Sequence, residues 1–448
     1  MINKIKDFLL NFNLREKKNI FSSLSNLTFQ TISQIFYPPL MILGWGADLF
    51  GIWIFLISVP SAFLLFNIQF NDAAIQQISI YQSRNDHKNA KIYFSNSVIF
   101  VILNLTIFNG LLLFYFLNYN HNFDVIKNFD NEDLKIIIFL LILSVNLKIF
   151  EGIFHTGIYS QGKLNIIFNL STLRDVLSKI LIIILGYFYN SLIYASFIIL
   201  LLSLFSLFSH IYYFKNINKN LKFNPKIFSK NIIKRIFVLS IGHNAEKISF
   251  ILKQAGLIII IGKFYDPHIV AYVSTSFTMF YFFPKSLFGR ISHVYFFELG
   301  KLYAIKNIKF LKSKLNFFLK YNFFFIVVLS FFSLSLGPII YKIWTNDNFQ
   351  IINLLLFLIV IDASTEVIKI SVFTIFKSLN KFVLLGVADM LITLLAFIIF
   401  FISLEFEIFG SLSESYVFIL FGNILNLILS VIFFYYFYKS KFQKSFIF

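Results

Sequence analysis

Apolar stretches of about 20 residues recur from one end of this 448-residue chain to the other. Each is long enough to cross the ~30 Å hydrocarbon core of a bilayer as a helix. Between them the chain carries few charges: 13% of residues, where a soluble domain averages roughly 25%. That is too little charge to cover a water-facing surface. The stretches are continuously apolar, with no alternation of apolar and polar positions, so they read as helices and not as barrel strands. A backbone in hydrocarbon must satisfy its own hydrogen bonds, which a helix does within one segment. The expected fold class is all-α: a polytopic integral membrane protein of about twelve transmembrane helices.

Twelve spans are read, at roughly 20–43, 50–71, 92–117, 134–159, 165–187, 191–214, 236–262, 269–289, 320–341, 351–376, 382–403 and 414–438. The connections alternate in charge. One set carries Arg15, Lys17 and Lys18; Arg84, Lys88 and Lys91; Lys163; seven bases over 215–235; five lysines over 301–314; and Lys439, Lys441 and Lys444. The other set is acidic, with Asp48, Asp124, Asp130, Asp266, Asp347 and Glu405 among its members. Basic loops stay in the cytoplasm, so both termini are expected there, and residues 1–19 should precede a retained signal anchor. The net charge of +18 is then a topology signal and no sign of a nucleic-acid partner.

Several chemistries are excluded or unsupported. There is no Cys, hence no disulfide or thiolate metal site. The seven His (87, 121, 155, 210, 243, 268 and 293) show no ligand spacing, so no metal or other cofactor is expected. No phosphate-loop motif is present. No connection is long enough to hold a soluble catalytic domain, and no enzymatic activity or catalytic residue is expected.

A weak duplication runs through the chain at an offset of 218. Gly44 and Asp48 match Gly262 and Asp266; Thr156, Ser160 and Lys163 match Thr374, Ser378 and Lys381. An offset of six spans makes the repeat parallel. The expected organisation is an N-terminal segment 1–19, a six-helix lobe 20–214, a basic linker 215–235, a second six-helix lobe 236–438 and a tail 439–448. Two facing six-helix lobes form a transporter architecture.

A charge at mid-span costs about 2.5–3.5 kcal/mol on insertion scales and usually lines a cavity. Mid-span here are Lys148 and Glu151; Arg174, Asp175 and Lys179; Glu246, Lys247 and Lys253; and Asp362, Glu366 and Lys369. Asp362, Glu366 and Lys369 form one helical stripe, and His243, Glu246 and Lys253 another. Arg174, Lys253, Lys247, Lys179, Lys148 and Lys369 are the candidates to hold an anionic cargo, since Arg and Lys grip phosphate. Asp362, Glu366, Glu151, Asp175 and Glu246 are the candidates to couple transport to protons or sodium ions. The bland reading is mutual neutralisation between helices, weighed evenly for the Asp175–Lys179 and Lys148–Glu151 pairs. Asp72, Lys285, Arg290 and Glu298 read as interfacial.

The hairpin GWGADLFGIWIFLISVPSAF (44–63), the turn YSQGKL (159–164) and the segment AGLIIIIGKFYDPHIVAYVSTSF (255–277) give the chain a family resemblance. It resembles a Wzx-type O-antigen flippase of the multidrug/oligosaccharidyl-lipid/polysaccharide (MOP) transporter superfamily. The resemblance implies a carrier in the bacterial cytoplasmic membrane. It would move an undecaprenyl-pyrophosphate-linked oligosaccharide from inner to outer leaflet by alternating access through a cationic cavity. The bilayer and other polysaccharide-assembly membrane proteins would be its partners. The candidates depart from this in number, six bases against five acids. A cation-coupled drug exporter of the same superfamily is the alternative, and an integral-membrane polymerase a more distant one.

Overall fold

The structure is a computed structural model, and it describes residues 14–62, 70–118, 123–127, 129–218, 221–304, 308–378 and 382–439. Among these residues every regular element is helical and there is no strand. Helix α1 spans Leu14–Ala62 and is broken at Gly46, where φ is 76° and ψ 167°. Only glycine adopts that backbone without strain, so the break falls where the first outer hairpin was read. Next come α2 (Phe70–Ser83), α3 (His87–Asn118), α4 (Asn131–Ser160), α5 (Leu164–Tyr189) and α6 (Leu192–Ile217). The second half has α7 (Lys230–Ile251) and α8 (Leu257–Phe264), joined by a π-helical turn over Leu252–Gly256. A second π turn, Thr278–Phe282, joins α9 (Pro267–Phe277) to α10 (Phe283–Ala304). There follow α11 (Ile308–Ser335), α12 (Gly337–Trp344), α13 (Asn353–Ser378), α14 (Val383–Glu405) and α15 (Leu412–Tyr438).

The helix starts follow capping chemistry. Asp130, Ser191, Asp266 and Ser411 each accept a backbone N–H from the first turn of α4, α6, α9 and α15. Pro267 follows its cap at the first helical position, where its missing N–H costs nothing.

Seven segments are long and apolar enough to cross a membrane on hydropathy alone: Phe21–Ala62, His87–Ile107, Asn131–Ser160, Leu192–Ile217, Phe310–Ser335, Val383–Glu405 and Leu412–Tyr436. Two of the long helices outside this set, α5 and α13, carry mid-span charges: Arg174, Asp175 and Lys179 on one, Asp362, Glu366 and Lys369 on the other. The chain is a multi-pass membrane protein, and the mid-span charges on these two helices keep them out of the seven. Burial has the sense expected in lipid. The exposed faces carry large hydrophobics such as Phe323, Phe324, Phe331 and Ile343, while Ser144, Glu151, Ser206, His210, Asp362 and Lys369 are buried.

The chain divides into two compact units. One comprises residues 1–46, 56–122 and 126–241; the other comprises 47–55, 123–125 and 242–448. The division at Ile241–Gly242 falls inside α7, beyond the expected linker 215–235. That linker is pinned within the first unit. Asn96 donates to Ile227 O at 2.9 Å and accepts from Ser229 N at 2.8 Å, while Asn224 N donates to Ser95 Oγ at 3.1 Å. In the second unit, Gly51 lies so close to the start of α9 that a Cβ would stand 1.9 Å from Pro267 O. Only glycine permits that approach.

Candidate functional site

Each unit buries one network of charges. In the first, Glu151 of α4 is fully buried and accepts from two other helices. Arg174 Nη1 of α5 donates to its Oε2 at 3.0 Å and Oε1 at 3.3 Å. Ser206 Oγ of α6 donates to Oε1 at 3.1 Å. Two imidazoles complete the shell: His155 Nε2 and His210 Nδ1 each lie 3.1 Å from Oε1. Arg174 also donates through Nε to Asp175 at 3.0 Å. A buried carboxylate surrounded by donors in this way is matched in both charge and hydrogen bonding.

The histidines correct the reading of scattered residues without ligand spacing. Glu151 and His155 are four apart on one helix, which places both on the same face. His210 joins them from α6, whose packing against α4 no spacing along the chain reveals. One nitrogen of each ring and a Glu151 oxygen all lie within 4.8 Å of one another.

The remaining bases of this unit are differently placed. Lys179 donates to Ser33 Oγ at 2.7 Å and stands 5.8 Å from the centroid of the Tyr37 ring. Asp175, expected to pair with Lys179, is turned to Arg174 instead. Lys148 is exposed on α4. Among the described residues neither Lys148 nor Lys179 pairs with a carboxylate.

In the second unit, Glu366 of α13 receives three lysines. Lys253 lies at 2.7 Å, Lys369 at 2.8 Å and Lys285 at 3.0 Å. Lys369 also reaches Asp389 of α14 at 2.8 Å. Asp362, one turn before Glu366, accepts from Tyr416 Oη at 2.6 Å and from the Asn423 amide. Asn423 in turn accepts from Lys253, and so links Asp362 to Glu366. Three lysines thus face three carboxylates.

This network changes several expectations. Lys285 does not lie at a helix end: α9, the π turn and α10 run on from Pro267 to Ala304, and the residue, midway along, reaches Glu366. The stripe of Glu246 with Lys253 does not make one site. Glu246 pairs with Lys377 at 2.5 Å, while the π turn over 252–256 carries Lys253 to Glu366. The His243 side chain lies outside the described residues. Lys247 is half-buried on α7 and carries contacts of its own. Asp389, Tyr416 and Asn423 were missed, though Asp389 is the one charge inside the apolar run VLLGVADMLITLL (383–395).

No known family model and no curated protein sequence matches the chain. Solved structures do match over nearly its whole length. An inward-facing multidrug resistance MATE family transporter of the MOP superfamily superposes with a TM-score of 0.64 at 14% identity, covering 94% of this chain and 96% of that one. An outward-facing structure of such a transporter gives 0.59 at 13% identity, covering 97% and 98%. A MOP superfamily transporter from Pyrococcus furiosus, described as having a binding pocket of reverse polarity, gives 0.50 at 15% identity, covering 91% and 94%. The chain therefore has the fold of the MATE transporters of the MOP superfamily.

Proposed function

We infer that this chain is an alternating-access transporter that flips a lipid-linked oligosaccharide with an anionic pyrophosphate head from the inner to the outer leaflet of the cytoplasmic membrane. The fold supports transport, and the resemblance of the 44–63 hairpin supports the cargo. The observation that carries the reading is the pair of bases without carboxylates, Lys148 on α4 and Lys179 on α5. A pyrophosphate leaving water requires fixed positive charge in place of its hydration. Arg174, Lys253 and Lys369 are already matched by carboxylates, so their charge reaches the cargo only when those pairs open. Protons or sodium ions acting on Glu151 and Asp175 would free Arg174, and acting on Glu366 would loosen Lys253 and Lys369.

Removing the protein from a host without other flippases should leave lipid-linked repeat units facing the cytoplasm and abolish surface polysaccharide. A combined Lys148→Gln, Lys179→Gln variant should insert normally and restore little of it. Normal surface polysaccharide in the deleted host would refute the cargo. A second reading, cation-coupled drug export, is favoured by the multidrug transporters that share the fold. It predicts efflux of cationic dyes by the purified protein in vesicles, and no effect on polysaccharide.

A further inference from the structure

We propose that Glu151, His155 and His210, with Ser206 beside them, form a binding site for one divalent transition-metal ion of the zinc type. Four donor atoms converge there. Glu151 Oε1 lies 3.1 Å from His155 Nε2, 3.1 Å from His210 Nδ1 and 3.1 Å from Ser206 Oγ. Ser206 Oγ and His210 Nδ1 are 3.5 Å apart. Zinc bonds of roughly 2.0–2.2 Å in tetrahedral geometry put neighbouring ligand atoms ~3.3 Å apart. Four of the six edges of such a tetrahedron are therefore already close to that length, and the His155 and His210 nitrogens lie within 4.8 Å of each other.

The donor set selects the ion. Two imidazoles and one carboxylate suit zinc and its neighbours, whereas calcium and magnesium take oxygen ligands. Freeing His210 Nδ1 costs little. Its present acceptor, Ser206 O at 2.8 Å, is the carbonyl one turn back in α6, which the helix backbone itself uses. Arg174 does not close the site. Its nearer contact is with Oε2 at 3.0 Å, its bond to Oε1 is the longer one at 3.3 Å, and Asp175 at 3.0 Å balances its charge, so an ion on Oε1 displaces only the weaker bond. An entry path exists because the His155 side chain is 26% exposed, while His210 and Glu151 are buried. Bound there, the ion would tie α4 to α6, two helices of the same unit.

The test uses the full-length protein in detergent with any affinity tag removed. Titrated with Co2+, it should develop the visible ligand-field bands of a tetrahedral site, saturating at one equivalent and collapsing when Zn2+ is added. Zn2+ should also raise the unfolding temperature, because an ion that binds only the folded state stabilises it. His155→Gln and His210→Gln should each weaken Co2+ binding by roughly tenfold or more; His87→Gln, on an exposed histidine, should not change it. Absence of a saturable Co2+ band from folded wild-type protein would overturn the proposal. So would undiminished binding to the partly exposed His155→Gln variant, which would put the ion elsewhere.

Discussion

Glu151 gathers Arg174, Ser206, His155 and His210 around one carboxylate, so its removal leaves Arg174 to Asp175 alone and strands the buried Ser206 and His210. Removing one partner of a buried pair costs about 3–5 kcal/mol. Glu151→Ala should therefore lower stability by that order in a thermal melt of the detergent-solubilised protein. Lys148→Ala, on an exposed lysine, should leave the melt almost unchanged. A second residue acts outside the spans. Asp86 precedes α3, and its carboxylate accepts from the backbone N–H of Asn89 at 3.0 Å and from the Asn89 side chain at 2.6 Å. Those two bonds hold its pKa below the ordinary carboxylate value. With the folded pKa depressed, its contribution is fully present above the unfolded value near 3.9 and fades as pH falls through the folded one. The melting temperature of wild type should thus drop more steeply on acidification than that of Asp86→Asn, which keeps a capping oxygen but does not titrate.

Among the elements, the two π turns are the departures from regular helix that bear on the charge network. A π turn is an α-helix with one residue inserted, and it re-aims the side chains it contains. Leu252–Gly256 presents Lys253 to Glu366 and Asn423; Thr278–Phe282 contains Tyr281, which is fully buried. Deleting exposed Gln254 should convert the first π turn to α-helix while α7 and α8 keep their register. The expected outcome is a chain that inserts and folds yet loses transport, because Lys253 no longer meets Glu366. Wild-type transport by the deletion variant would show that the turn is a packing detail. The hairpins after α5 and after α14 each hold a left-handed residue. Asn190 after α5 and Glu407 after α14 both adopt left-handed backbone, with φ of 46° and 49°.

For the whole molecule, the alternation of basic and acidic loops predicts a single orientation. The chain has no Cys, so single thiols report it cleanly. Lys127→Cys, exposed between α3 and α4, should react with an impermeant reagent added outside intact cells. Lys226→Cys, exposed between α6 and α7, should react only after permeabilisation. The reverse pattern would invert the topology. Asn120 and Asn220, the loop centres the sequence alone suggests, lie outside the described residues, and these neighbours serve in their place.

What the sequence by itself determined was whatever depends on local composition: the membrane class, the helical backbone, and the breaks near Gly46 and Asp266. Hydrocarbon imposes those on any segment without regard to its neighbours. Even the list of mid-span charges was legible, since a charge in an apolar run stands out. Which charge meets which was not. Asp175 turns to Arg174 and not to Lys179; Glu246 to Lys377; Lys285 comes in from what read as an interface; and His210 reaches Glu151 from another helix. Pairings like these depend on how helices are rotated and packed, and on one inserted residue at 252–256. Side-chain partners are chosen across space, where separation along the chain carries no force.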